Sequence, residues 1–210
     1  MNMQSQDQII EHSLNIPGWA NRDILTALGK YSSLVDDNGV ILEIGGLFGR
    51  STYTIGNSKK SSVKLMTIDN WPTMVNHTFH DGLCGADQLT LLNSRIVDNY
   101  ITGEDFFGLW NEFTKGISNN IGMRMPADSP NTDFPMIDLI YHDAGHEYEE
   151  VYSDLNHWFP KLKQTGILIV DDYDSKNFPG VIQAVDQFAM ENNLQTEMIT
   201  NRNILLRRKL

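Results

Sequence analysis

The sequence predicts an α/β fold of the Rossmann-like kind: a mostly parallel seven-stranded sheet with an antiparallel C-terminal strand and helices on both faces. Three observations predict it. Short apolar, β-branched runs alternate with longer segments of helical spacing. A glycine turn, Glu43-Ile44-Gly45-Gly46-Leu47-Phe48-Gly49-Arg50-Ser51, joins the first clear run to a helix. Carboxylates stand at the ends of later runs: Asp69, Asp143, Asp171 and Asp172. In a parallel sheet, ligands bind beyond the carboxyl ends of the strands, where these residues fall.

Taken in order, residues 1–35 read as a helical cover with Trp19, Ile24, Leu25 and Leu28 on its apolar face. Residues 40–44 are the first strand, and residues 51–58 can follow as a helix. Residues 63–68 form a second strand that ends on Asp69, and residues 121–125 a weaker third. Residues 136–141 form a fourth, ending on His142-Asp143. A helix over 147–162 carries Val151, Leu155, Trp158 and Leu162 at helical spacing. Residues 166–170 are a fully apolar strand, followed by a helix over 178–193. The runs 196–200 and 203–207 look like a terminal antiparallel pair.

The expected organisation is a cover over 1–35 and a ligand-binding domain over 36–210, with an insertion at about 70–118. That stretch is long for one connection. It contains Trp71, Cys84, a helical stretch over 86–100 and the aromatics Phe106, Phe107, Trp110 and Phe113, and reads as a lid or substrate wall.

The chain of 210 residues has 27 acidic and 16 basic side chains, a formal net charge of -11. Such a chain is repelled by phosphate backbones, so no nucleic-acid partner is expected. Arg202, Arg207, Arg208 and Lys209 read as a solvated final strand and tail. Cys84 is the one cysteine, which excludes an intramolecular disulfide. No apolar run nears the roughly 20 residues that span a bilayer, so no membrane partner is expected. The polar first ten residues lack a signal pattern, and a cytoplasmic location follows as the expectation. Aromatics in 1–35 or 100–113 leave room for a homodimer.

The glycine turn is not G-x-G-x-x-G, which disfavours a dinucleotide pyrophosphate. Glu43 would repel a phosphate but can receive an ammonium through water. Asp69 is placed to accept two ribose hydroxyls. An ammonium, a ribose and no phosphate describe S-adenosylmethionine; the alternative is a tight strand–helix turn with no ligand. Asp143, Asp171 and Asp172 would repel one another at neighbouring strand ends unless protons or a cation intervene. A hard divalent ion, Mg²⁺ or Ca²⁺, resolves this. Otherwise Asp143 and Asp172 cap helices and Asp171 is solvated. His146, three residues past Asp143, suits a general base beside the metal or a helix cap. His12, His77, His80, His142 and His157 have no comparable partners in the sequence, so packing or surface roles are expected.

From about residue 40 onward the chain resembles class I S-adenosylmethionine-dependent methyltransferases. The sharpest part runs from Asp143-Ala144-Gly145-His146-Glu147-Tyr148 through Asp154 and Trp158 to Gly166 and Asp171-Asp172-Tyr173. It is similar to the macrocin-type sugar O-methyltransferases and related small bacterial proteins, whose pattern is D-x-x-H-x-Y, then D-x-x-x-W, G-G and D-D-Y. Gln164-Thr165-Gly166 departs from the family's Pro-Gly-Gly. The resemblance implies metal-dependent O-methylation of a small molecule, a sugar or diol. It implies Asp143, Asp171 and Asp172 as metal ligands, and catalysis by His146 as base beside Asp143. Glu43, Gly45, Gly46, Gly49, Ser51, Asp69 and Asp143 would hold the cofactor, with Asp128 and Ser129 at the adenine end. Tyr148 and Trp71 would be wall residues. Two alternatives remain: a cofactor-binding relative with another activity, either hydroxylase-like or a regulatory module, and a nicotinamide-dependent oxidoreductase. The latter lacks a Tyr-x-x-x-Lys pair.

Overall fold

The structure is a computed structural model describing residues 4–71, 106–129, 133–174 and 176–209. Cys84, His77, His80 and the expected helix over 86–100 lie outside the described residues. The elements run α1 (Gln6–Leu14), α2 (Arg22–Ser33), β1 (Val40–Ile44), α3 (Arg50–Ser58), β2 (Lys64–Asp69), α4 (Phe106–Phe113) and β3 (Asn120–Arg124). They continue with β4 (Ile137–His142), α5 (Tyr148–Trp158), β5 (Leu162–Val170), α6 (Pro179–Glu191), β6 (Leu194–Met198) and β7 (Ile204–Arg208).

The strands form one sheet in the order β3-β2-β1-β4-β5-β7-β6. The first five are mutually parallel, and β7 enters antiparallel between β5 and β6. The chain order reverses at β1, which pairs with β2 on one side and β4 on the other. That switch opens a crevice at the carboxyl ends of β1 and β4.

All five residues of β1 are buried, as expected of a central strand covered on both faces. Alternate side chains serve two cores. Ile41, Leu139, Ile169 and Leu205 pack with Leu25, Leu28 and Ile55 of α2 and α3. Leu42, Ile44, Ile140, Leu168 and Val170 pack with Val151, Leu155 and Trp158 of α5 and Val181, Val185 and Phe188 of α6. A third cluster of Ile16, Phe48, Trp71, Phe106, Leu109 and Trp110 packs at the glycine turn.

Several expectations need correction. Trp19 does not join the helical apolar face; it lies between α1 and α2 and is 59% exposed, whereas Ile24, Leu25 and Leu28 are buried. The helix expected over 147–162 ends at Trp158, because Pro160 lacks the N–H that would continue it, and a short 3-10 turn follows over Phe159–Lys161. Leu162 belongs to β5, which begins there and not at 166; its burial serves the sheet. In the 70–118 stretch Trp71, Phe106 and Trp110 are buried core, so these three do not form a substrate wall. Ring contacts of Phe107 with Trp71 and Trp110 extend the same cluster.

Candidate functional site

The carboxyl edge of the sheet opens into a cleft of about 1620 Å³. Its lining includes the glycine turn, Asp69, Asp128, Asp143, His146, Asp171, Asp172 and the segment between α1 and α2. The sheet therefore brings together most of the residues the sequence singled out. Ser129, Glu43 and Gly49 are not on the lining.

The turn closes tightly. Gly45 has φ +92°, and a methyl group there would stand 1.8 Å from the Asp143 carbonyl oxygen. Gly49 has φ +94° and opens α3. Only glycine takes both the left-handed backbone and the close approach of β1 to β4. Leu47, Trp71 and Asp172 also have positive φ, at 42°, 36° and 57°. All three follow strands that end in the cleft, where such conformations cost about 1–3 kcal/mol each.

Asp69 ties the turn to β2. Its Oδ2 accepts from the backbone N–H groups of Gly46 and Leu47, each at 2.9 Å, and its Oδ1 accepts from that of Trp71 at 2.7 Å. A carboxylate has about four acceptor positions, so room remains for a ligand hydroxyl. Glu43 differs from the expectation. Its side chain is fully buried beneath the turn and accepts from Ser51 Oγ at 2.6 Å, Thr52 Oγ1 at 2.5 Å and Thr67 Oγ1 at 2.9 Å. Burial raises its pKa from 4.5 to about 7 against these three hydroxyl donors. Glu43 holds the turn from below.

Beyond β4 and β5 the acidic residues form a hydrogen-bonded chain. The Tyr141 hydroxyl lies 3.0 Å from Asp143 Oδ2 and 2.7 Å from Asp171 Oδ2, so one proton serves two carboxylates. Asp171 Oδ1 accepts from Asn203 Nδ2 at 2.6 Å and from the Asp172 N–H at 2.7 Å. Burial, followed by the charges of Asp171 and Asp172, pushes the Asp143 carboxyl well above its ordinary range. Burial also raises Asp171. Asp172 is compensated: Oδ1 pairs with Arg202, and Oδ2 lies 2.7 Å from His146 Nε2. The His146 ring stacks on Phe178 at a centroid distance of 4.4 Å.

A family profile described as "Methyltransferase domain" matches residues 42–173. The chain belongs to this family. It is an S-adenosylmethionine-dependent methyltransferase. Solved structures similar to it in fold include the O-methyltransferase NovP, at 16% identity and TM-score 0.64 over 90% of this chain and 81% of that one. The apo structure of CalS11, a TDP-rhamnose 3'-O-methyltransferase of calicheamicin biosynthesis, is similar at 18% identity and TM-score 0.54, over 88% and 76%. The SAH-bound methyltransferase PaMTH1 of Podospora anserina is similar at 14% identity and TM-score 0.55, over 91% and 80%. No curated protein matches in sequence.

In the methyltransferase, the three carboxylates expected as metal ligands, Asp143, Asp171 and Asp172, all line the cleft. Among the described residues no group of three His, Cys, Asp or Glu side chains is arranged to hold a metal ion. Arg202, His146, Asn203 and Tyr141 engage oxygens of these carboxylates. Arg202 does not belong to a solvated tail; it stands at the β6–β7 turn with its guanidinium on Asp172 and over the Phe178 ring. His142 was expected to lack a partner, yet it is buried with Nε2 2.9 Å from Asp154 Oδ2. Trp71 is no wall residue: its indole donates to the Leu47 carbonyl at 2.7 Å. Tyr148 donates to Gln187 of α6 at 2.9 Å and is not on the cleft lining. Sequence reasoning passed over Tyr141 because a strand tyrosine reads as core. The D-D pair, however, signalled that donors must face it. Among the described residues no helix is long and apolar enough to cross a membrane.

Proposed function

We propose that this methyltransferase transfers the sulfonium methyl group of S-adenosylmethionine to a hydroxyl of a small diol-bearing molecule, with His146 as the base. One observation carries the reading. His146, its side chain 43% exposed, stands in the same cleft as the glycine turn and is held by Asp172 Oδ2 at 2.7 Å. In the neutral ring a proton on Nε2 donates to Asp172 and leaves Nδ1 as the basic nitrogen. The acceptor proton passes to that nitrogen while the acceptor oxygen bonds to the methyl carbon. The carbon–sulfur bond breaks and S-adenosylhomocysteine leaves.

The remaining roles are those that the family resemblance implies. Gly45, Gly46, Gly49 and Ser51 would pass close to the cofactor, Asp69 would take its ribose, and Asp128 with Ser129 would face its adenine end. Asp143 and Asp171 carry hard oxygen donors whose raised pKa values mark a deficit of positive charge, which fits a divalent cation such as Mg²⁺. Asp172 fits that role less well, since Arg202 and His146 already engage both of its oxygens. A bound cation there would lower the pKa of the acceptor hydroxyl.

The test is a pair of variants measured for turnover and for S-adenosylhomocysteine affinity by calorimetry. His146→Ala is expected to slow methyl transfer by roughly 100-fold or more while leaving that affinity within about twofold. Asp69→Ala is expected to weaken the cofactor instead. Loss of cofactor binding alone in both variants would show the roles to be wrong. Chelation is expected to abolish turnover and Mg²⁺ to restore it; full activity in chelator removes the cation from the reading.

A further inference from the structure

The segment between α1 and α2 forms one wall of the cleft and carries an unusual side chain. Of the four tryptophans in the sequence, Trp71, Trp110 and Trp158 are 1–2% exposed. Trp19 is 59% exposed and lies on the cleft lining. Its loop is not a loose tip. Arg50, the first residue of α3 and 7% exposed, reaches back with Nε donating to the Ile16 carbonyl at 2.6 Å. Its Nη1 donates to the Ala20 carbonyl at 3.0 Å. These two bonds bracket Trp19 on either side. Between them Gly18 lies on the arginine stem, where a methyl group would stand 3.2 Å from Arg50 Cβ. Asn21 fixes the far end, its Oδ1 accepting from Asp23 N–H at 2.9 Å to start α2.

Arg50 also directly follows Gly49 of the glycine turn. The side chain that fixes the Trp19 loop is thus continuous with the turn that would hold the cofactor. The lining also carries polar side chains, among them Asp143, His146 and Asp172. A six-membered ring bearing hydroxyls matches such a cleft: its apolar face covers an exposed indole, and its hydroxyls meet the base.

We propose that Trp19 is the acceptor platform of this cleft, an indole pinned by Arg50 that stacks against the apolar face of a ring-bearing diol. The inference rests on the methyl-transfer reading above. Trp19 is a specificity residue, and Arg50 is a positioning residue that acts through the loop. The ring chemistry is shared by pyranosides and catechols.

The test titrates the S-adenosylhomocysteine-saturated protein with methyl α-L-rhamnopyranoside in one arm and catechol in the other. Fluorescence and calorimetry are read for the wild type, Trp19→Ala and Trp19→Phe. The expected result is quenching of an exposed-tryptophan signal that Trp19→Phe lacks, and a Kd for the bound ring raised roughly tenfold in Trp19→Ala and about threefold or less in Trp19→Phe. The arm that responds assigns the ring as sugar or catechol. S-adenosylhomocysteine affinity is expected to stay the same in all three proteins. Equal ring affinity in Trp19→Ala, or no ring binding by the wild type in either arm, overturns the proposal. So does a dimer that Trp19→Ala dissociates, since the indole then contacts a second copy. Ring binding at Trp19 without methyl transfer leaves the platform standing and removes the reaction reading instead.

Discussion

Glu43 is an acidic side chain with no route to water, and replacing it with glutamine isolates what its charge does to the fold. The carboxyl sits at 0% exposure on the central strand, with the hydroxyls of Ser51, Thr52 and Thr67 within 2.5–2.9 Å. Trp110 donates to the Thr52 hydroxyl at 3.0 Å, so the network also reaches α4. Burial outweighs the hydroxyl donors and raises the pKa from 4.5 to about 7. The folded protein then binds a proton more tightly than the unfolded chain. Its contribution is fully present below about 4.5 and is lost as pH rises to about 7. At roughly 1.4 kcal/mol per pH unit, that rise corresponds to about 3 kcal/mol, an order-of-magnitude figure. Glutamine has nearly the same shape and no charge to bury. In urea denaturation, Glu43→Gln is therefore expected to gain about 3 kcal/mol relative to wild type between pH 4.5 and pH 8. The hydroxyls can rotate to meet an amide, so at pH 4.5 the two proteins should differ by about 1 kcal/mol. A stability difference that does not change with pH would refute the reasoning, because the native Glu43 would then be ionised throughout.

Other outcomes follow from the same geometry. Gly45→Ala places a methyl group 1.8 Å from the Asp143 carbonyl at φ +92°, so a loss of roughly 4 kcal/mol is expected in urea denaturation; an unchanged midpoint contradicts the close approach of β1 and β4. Asp154→Ala strands the buried His142 ring and is expected to cost about 1–3 kcal/mol, most of it recovered by Asp154→Asn. If a double-mutant cycle between positions 142 and 154 gives no coupling, the pair does not bind β4 to α5. Asp69→Asn keeps one acceptor oxygen where the native side chain uses both, for the Gly46 and Leu47 amides and for Trp71. It is expected to weaken S-adenosylhomocysteine about tenfold at a stability cost of about 1–2 kcal/mol; unaltered affinity in calorimetry removes Asp69 from the cofactor site.

The sheet was legible in the sequence because its signal is local. The residues of β1 are a buried apolar run, and they match the expected 40–44. Glycines mark the turn because its backbone excludes other residues, and the terminal pair appears as β6 and β7 within about two residues of expectation. The polar residues at strand ends share one cleft because a parallel sheet puts its carboxyl ends on one edge. Local periodicity misled at Leu162, where a helical spacing continued past the proline that ends the helix.

Sequence by itself thus determined the class of fold, the turn and the edge where polar chemistry gathers, because those depend on backbone geometry and neighbours along the chain. The tertiary structure decided which charge meets which. Arg202 comes from 30 residues beyond Asp172 to take its Oδ1, leaving Oδ2 for His146. Tyr141 bridges Asp143 and Asp171 across two strands. Arg50 reaches back 34 residues to set the loop that carries Trp19. The physical reason is that hydrogen-bond and ion-pair partners are chosen by distance in space, and strand pairing brings together residues whose separation along the chain carries no signal.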